Sequence, residues 1–486
     1  MTSSSLHRCP EASRRSEVDR LRAENARLRA ELDQARADAA ARGAEVDRLQ
    51  ARVREFATAL EEARRAAKRQ AAPFSRNKPK AHPRPGGRKP GAAYGTKAHR
   101  LPPAPERVDE VVDVPLPGSC PRCGGEVVVD AVAWQFQEEL VPVLTRMRRY
   151  DLHLGHCAAC KRAVRARHPE QTSDALGAAG VMLGPRVVAL AAWLHVGLGV
   201  PVAKVAMILR ELGGMSVTPG GLQQALHRLA GDAASTQQAL RAALRGSTAV
   251  AADETGWRVG GQRAWLWAYV GDHASVYDIA PGRGYDEAAA VLGGDFCGVL
   301  ERDGWAPYRK FTHAAHQSCL AHLLRRATGM IEDALAGQAK VPHALRRILN
   351  DALTVRDAGL KGEEAAREVA RLGARIEAFC RRAPRYAPNR RLVAHVRREA
   401  PHLLTFLRVD GVQATNWEAE QALRAMVCNR KQWGGNKAWA GARTTAVLGS
   451  VLRTSAQQHA DPIGVLAGIQ HHGRVACQLV LPGPAP

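Results

Sequence analysis

The apolar positions between residues 18 and 60 follow a heptad. Val18, Leu21, Asn25, Leu28, Leu32, Ala35, Ala39, Arg42, Val46, Leu49, Val53, Phe56 and Leu60 recur in steps of three and four. Such residues share one seam of a long helix. An asparagine inside a seam, here Asn25, fixes register and favours two strands. Ala35, Ala39 and Arg42 weaken the middle. The pattern points to a self-associating coiled coil over residues 1–62. The other reading is a long solvated helix.

Residues 171–246 keep a helical period. "GPRVVALAAWLHVGLG", "PVAKVAMILRELGG" and "TPGGLQQALHRLAGDA" are separated by glycine and proline. Thr218 before Pro219 reads as a helix start, with threonine as N-cap and proline in the first turn. Three short helices with a tight turn suit either a helix-turn-helix for a major groove or a helical connector. After residue 247 the pattern turns to strands. One strand-like run in "TAVAADETGWRV" leads from Thr248–Ala252 into Asp253, the chain turns at Gly260–Gly261, and a second strand covers Trp265–Val270. A third covers Ser275–Ile279. "YDEAAAVLGG" reads as a helix closed by Gly293, and "CGVLERDGW" as a further strand. Three antiparallel strands, a helix and another strand is the order of an RNase H-like core.

Charge and composition narrow the function. The 486-residue chain is 45% hydrophobic, enough for several domains, and carries a net charge of +23. Such an excess suggests a polyanionic partner, nucleic acid first. No apolar run reaches about 18 residues, and the N-terminus lacks the apolar segment of a signal peptide. A cytoplasmic protein, nucleoid-associated when bound to DNA, is expected. Ten cysteines are then expected as metal ligands or buried thiols.

Residues 63–105 hold no acid, and twelve Lys or Arg fall between Ala63 and Arg100. The Pro- and Gly-rich run there cannot pack a core. Its "RPGG" and "GRKPG" pieces, with Arg84, Arg88 and Lys89, are similar to basic hooks lying in an AT-rich minor groove. A flexible charged linker is the alternative. Residues 106–170 carry "CPRCGG" and "CAAC". The four thiols of Cys120, Cys123, Cys157 and Cys160 are the number that closes a structural zinc site. A small ribbon is expected in "EVVVDAVAWQFQEELVPV", and His153 or His156 could replace a ligand.

The candidate chemistry lies in the strands. Asp253 falls at the centre of the first, and Asp303 at the end of the fourth, beside it in the expected sheet. Buried carboxylates are costly unless paired or bound to a cation. Asn416, Glu420 and Arg424 are spaced i, i+4, i+8 along a helix, so Glu420 could meet the two aspartates. Three carboxylates suit Mg²⁺, which prefers oxygen and keeps positions for water and phosphate. Cys319 and His322 could be a second metal pair, although a buried cysteine and a hydrogen-bonded histidine are the plainer reading. Trp257, Trp265, Trp267 and Trp305 read as core.

"DETGWRV", "DGWAPY", "CLAHLLRR", "NWEAEQALR" and "NRKQWGGN" together resemble the DDE transposases of the insertion-sequence-sixty-six family. The resemblance covers most of the chain. It implies an RNase H-like, retroviral-integrase-like catalytic core over residues 247–440, with a helical insertion at about 335–410 and a C-terminal helical cap at 441–486. It implies two Mg²⁺ ions, replaceable by Mn²⁺, held by Asp253, Asp303 and Glu420. It also implies cleavage at the ends of a mobile element and strand transfer into double-stranded target DNA. Glu420 aligns with the catalytic glutamate of the family; Glu418 is the rival, and Trp417 departs from the family asparagine. Arg325, Arg326, Arg424, Arg430 and Lys431 would meet phosphates, and small accessory proteins of the same element would be partners. Other functions left open are a catalytically inactive or domesticated DNA-binding protein of this fold, or a structure-specific nuclease.

Overall fold

The computed structural model describes residues 10–68, 103–138, 145–176, 182–335, 337–472 and 479–480. The chain forms two compact units, Met1–Phe136 and Gln137–Pro486.

In the first unit, helix α1 spans Pro10–Lys68. Its described seam residues, from Val18 to Phe56, are all exposed. Pairs such as Arg27–Glu31 (2.9 Å) and Arg48–Glu45 (3.0 Å) lace its surface; each contributes only a few tenths of a kcal/mol, about 0.3–0.5. Arg84, Arg88 and Lys89 lie outside the described residues. At Cys120–Cys123 the chain makes a tight turn, with the Gly124 amide donating to the Cys120 carbonyl (2.8 Å) and the Cys120 amide to the Gly125 carbonyl (2.9 Å). The ribbon expected after this turn does not form over the described part, Glu126–Glu138. Val128, Val132 and Trp134 stand exposed there. Alternation makes a strand only where one face is covered.

In the second unit, β1 (Leu154–His156) and β2 (Ala163–Arg165) pair antiparallel around Cys157–Cys160. Four helices follow: α2 (Pro185–Ala192, continued by a π turn to Gly197), α3 (Val202–Gly213), α4 (Pro219–Asp232) and α5 (Ala234–Arg245). The expected cap of α4 is present, with Thr218 Oγ1 accepting from the Gly221 amide at 3.1 Å.

A five-stranded mixed sheet comes next. Strands β3 (Ala249–Val259), β4 (Gln262–Gly271) and β5 (Ser275–Ala280) are antiparallel. Gly260 and Gly261 both have positive φ, as a two-residue hairpin loop requires. Helix α6 (Tyr285–Leu292) leads to β6 (Val299–Arg302), which lies parallel to β3; β7 (Ala315–Ser318) lies parallel to β6. The sheet order is β5-β4-β3-β6-β7.

Helix α7 (Leu320–Glu332) follows, then α8 (Lys340–Asp357), α9 (Gly362–Cys380) and α10 (Ala387–Glu399), which share a core with α7. The chain then returns through α11 (Trp417–Trp433), α12 (Trp439–Gln457) and α13 (Pro462–His472). Both faces of β4 are buried. Leu266 and Ala268 join α11 on one side, while Trp267 and Tyr269 join α4, α5 and α12 on the other. A sheet covered on both sides reads as a continuous apolar run, as "AWLWAYV" does. At the β5 edge, the amides of Ser275 and Tyr277 donate to Thr454 Oγ1 (3.0 Å) and Ser450 Oγ (2.9 Å) of α12. A helix with small hydroxyl residues thereby closes one exposed edge.

Candidate active site

Sheet register brings the two aspartates together. In the β3–β6 pair, Val250 lies opposite Leu300 and Ala251 opposite Glu301. Two residues further along each chain come Asp253 and Asp303. A step of two returns to the same face, so the Asp253 carboxylate leaves the sheet on the side of Ala251, which α11 covers. Asp303 lies just past the end of β6, where its Oδ1 accepts the Trp305 amide at 2.7 Å.

Helix α11 supplies the third acid. Asn416, fully buried before its first turn, donates from Nδ2 to the Ala252 carbonyl at 3.2 Å. The Glu420 amide closes on the Asn416 carbonyl at 3.2 Å. Glu420 therefore stands one helical turn from a side chain tied to the backbone beside Asp253. Glu418 lies where its charge reaches Glu301, whose carboxyl is pushed up to about 8, chiefly by burial.

Burial pushes the Asp253 carboxyl well above the usual carboxylate range, and the charges of Glu254, Asp303 and Glu420 push it further. No basic partner for Asp253 stands among these influences. The neighbouring Glu254 turns to the other face. It accepts from Arg283 Nε (2.7 Å) and the Tyr308 hydroxyl (2.5 Å). The Arg283 guanidinium also lies 4.7 Å from the Trp265 ring centroid and 4.0 Å from that of Trp305. Trp257 and Trp267 are core, as expected; Trp305 is not, because it is exposed and covers this cation instead. Nothing local in "DETGW" distinguishes the roles of the two adjacent acids except strand alternation.

The Asp303 turn is held from behind. Arg302 is wholly buried and donates from Nη1 to Glu399 Oε2 (2.5 Å), to Ser318 Oγ (3.3 Å) and to the Asp303 carbonyl (3.0 Å). Arg309 joins Glu399 Oε1 (3.2 Å) to the Gly304 carbonyl (2.8 Å). Sequence reasoning missed this network, because Glu399 comes from α10, 97 residues away in the chain.

The predicted cations sit in different surroundings. Arg424 and Lys431 are exposed on α11, and Arg325 is exposed on α7. Arg430 is partly buried; its Nη1 donates to the Gly256 carbonyl (2.7 Å) and its guanidinium covers the Trp257 ring at 4.5 Å. Arg326 is lowered in basicity by burial and by the nearby charge of Arg398. Helix α7 starts at Leu320, two residues after Ser318 ends β7. Glu420 Oε1 lies 3.5 Å from His322 Nε2 and 3.8 Å from Arg325 Nη2. Cys319, His322 and Glu420 offer donor atoms all within 4.8 Å of one another. Asp253, Asp303 and Glu420 are not gathered that tightly among the described residues.

At the two CxxC turns, backbone amides pull the Cys120 thiol down, that of Arg122 foremost and then that of Cys123. The amide of Cys160 does the same for Cys157. The two knuckles belong to different compact units.

The family profile described as Transposase IS66 family matches residues 180–444, more than half of the chain. The chain belongs to that family. No curated protein matched it. Membership of the IS66 transposases implies a transposition enzyme that acts on DNA and uses divalent metal. All three acids lie inside the matched span, whereas the heptad helix, the basic run and both knuckles lie outside it. Among the described residues, no helix is long and apolar enough to cross a membrane.

Proposed function

We propose that the second unit is the catalytic body of a DDE transposase with an RNase H-like core, and that Asp253, Asp303 and Glu420 are its metal-binding acids. The observation that carries this reading is the effect of Asp303 and Glu420 on Asp253. The charges of Asp303, just past β6, and of Glu420, on α11, both raise the buried Asp253 carboxyl of β3. That excess of negative charge fits a hard divalent cation with oxygen ligands. The strand order supports the RNase H-like assignment, with the first acid central in β3 and the second after the adjacent parallel β6.

Asp253, Asp303 and Glu420 would hold two Mg²⁺ ions, or Mn²⁺. Such a pair supplies an activated attacking oxygen and a stabilised leaving oxygen in phosphoryl transfer. The residues do the positioning. The β3–β6 register sets the two aspartates, the Asn416 anchor sets Glu420, and Arg302 with Glu399 sets the Asp303 turn. Exposed Arg325 on α7, beside Glu420, and exposed Arg424 and Lys431 on α11 offer cations for phosphates. The reaction would free a 3′-hydroxyl at the element end and join it to target DNA.

The remaining regions fit the same function. The exposed seam of α1 suits pairing of two copies. Arg84, Arg88 and Lys89 suit the minor groove, and the four knuckle thiols suit a structural zinc. The deciding experiment is strand nicking and joining on supercoiled plasmid with a supplied element end, in Mg²⁺ or Mn²⁺. Asp303→Ala and Glu420→Gln should each abolish both steps while leaving DNA binding in a mobility-shift assay. Undiminished cleavage in either variant removes the assignment, and cleavage without joining points to a nuclease.

A further inference from the structure

Cys319 sits where the elements that carry the acids meet. Its amide donates to the Arg302 carbonyl at 2.9 Å, the residue before Asp303. The next amide, of Leu320, donates to the Ala414 carbonyl at 2.9 Å, shortly before α11. The sulfur is buried, faced by the backbone amides of Asn416, His322 and Ala321. One helical turn into α7, His322 brings Nε2 to 3.5 Å from Glu420 Oε1, while its Nδ1 is buried without a hydrogen-bond partner. A sulfur, an imidazole and a carboxylate thus lie mutually within 4.8 Å. A cavity of about 210 Å³ opens beside Cys319 and His322, bounded by Gly304 and Arg326.

The donor types decide which ion. Mg²⁺ takes oxygen and binds thiolate and imidazole poorly, whereas zinc favours one sulfur, one nitrogen and one carboxylate with a fourth position for water. Glu420 therefore belongs to two donor sets of opposite preference: an all-oxygen set with Asp253 and Asp303, and a mixed set with Cys319 and His322. We propose that Cys319, His322 and Glu420 form a second metal site, selective for a zinc-class ion, and that an ion held there draws Glu420 away from the two aspartates. The inhibitory part rests on the catalytic reading of Glu420; the binding part does not. Arg325, 3.8 Å from the same carboxylate oxygen, is exposed and can turn to solvent when the ion enters.

The test uses the full chain stripped of metal and titrated with Co²⁺, whose visible and thiolate charge-transfer bands report coordination without any need for activity. Wild type should bind one more equivalent than Cys319→Ser and than His322→Gln, with the lost charge-transfer intensity corresponding to one sulfur. The knuckle cysteines contribute equally to all three proteins and cancel. Thermal unfolding and circular dichroism of the apo variants establish that each is folded. In parallel, micromolar Zn²⁺ should slow Mg²⁺-dependent DNA cleavage at least tenfold in wild type and less than twofold in Cys319→Ser, each relative to its own zinc-free rate. Equal cobalt stoichiometry in wild type and both folded variants overturns the site. A cobalt difference with equal zinc sensitivity overturns the inhibitory role alone. If the protein cleaves no DNA, the catalytic reading falls while the cobalt result still decides the site.

Discussion

Asn416 donates from its side chain to the carbonyl of Ala252, at 3.2 Å, and neither residue is reached by solvent. This bond fastens the start of α11 to the middle of β3, one residue before Asp253 and one helical turn before Glu420. A side-chain amide therefore sets the separation of two acids 167 positions apart in numbering. Asn416→Ala should lower strand cleavage by roughly 10- to 100-fold, on the order of 1.4–2.8 kcal/mol in barrier, because Glu420 is no longer held. DNA affinity should change little. Steady-state kinetics paired with a mobility-shift titration checks this, and a loss confined to affinity would contradict it.

The buried Arg302–Glu399 pair makes a different kind of prediction. Removing one partner leaves the other charged and dry, which costs roughly 3–5 kcal/mol. Glu399→Ala should therefore destabilise the chain strongly in thermal unfolding. The double variant Arg302→Met with Glu399→Leu should recover much of that stability, since an apolar pair of similar volume avoids the desolvation cost. Cleavage should stay low in the double variant, because the Asp303 and Gly304 carbonyls lose the guanidinium contacts arranged by this network. Recovery of both stability and activity would show that the pair does not position the turn.

Much of this framework was legible in the sequence, and the exceptions share a cause. Strands β3 to β5 could be read because apolar or alternating runs lie between turn residues such as Gly260–Gly261. Asp253 and Asp303 could be read because each follows an apolar run. Strand β7, "AHQS", could not: three of its four residues are polar, and their burial depends on distant partners. Ser318 Oγ reaches Glu399 at 2.6 Å, and Gln317 Oε1 accepts from the Phe406 amide at 3.0 Å. Residues 126–138 show the reverse error, since alternation there met no covering face. The spacing of Cys319 and His322 was visible, but Glu420 joins them only through the packing of α7 beside α11.

His316 yields a pH dependence. Its Nε2 donates to the Phe311 carbonyl (3.0 Å) and its Nδ1 accepts from Arg302 Nε (3.4 Å), which is the neutral tautomer. Burial first, and then the charge of Arg302, lowers its pKa from 6.5 to about 4; the ring of His402 and the carboxylate of Glu399 are its other titratable neighbours. Below about pH 6.5 the unfolded chain takes up a proton that the folded chain refuses until about pH 4. The stability due to neutral His316 is therefore complete above pH 6.5 and falls as pH drops through that window. The melting temperature should decline over this range, and His316→Gln should decline less steeply. Parallel slopes in the two proteins would exclude His316 as the source.

The knuckles predict a metal stoichiometry. If Cys120, Cys123, Cys157 and Cys160 close one tetrahedral site, elemental analysis of the purified protein should find zinc that Cys120→Ser and Cys157→Ser each lose. A core spanning residues 180–444 should keep none of that zinc. Zinc content unchanged by either substitution would mean that the two thiol pairs do not act together.

The first unit offers the last test. Twelve seam positions of α1, from Val18 to Phe56, are exposed along a single stripe, and a stripe of that length costs free energy in water unless a second helix covers it. Asn25 within the stripe favours two strands, because a pair of asparagines can hydrogen-bond across a dimer but fits poorly in larger bundles. Light scattering should give the full chain at least twice its 52.4 kDa mass, and deletion of residues 1–62 should lower the number of copies. Asn25→Val should raise the thermal stability of the assembly while broadening its oligomeric distribution, since the polar register mark is replaced by an apolar residue. A full chain that runs as a single copy at tens of micromolar, with or without residues 1–62, would leave the heptad as the surface of a solitary helix.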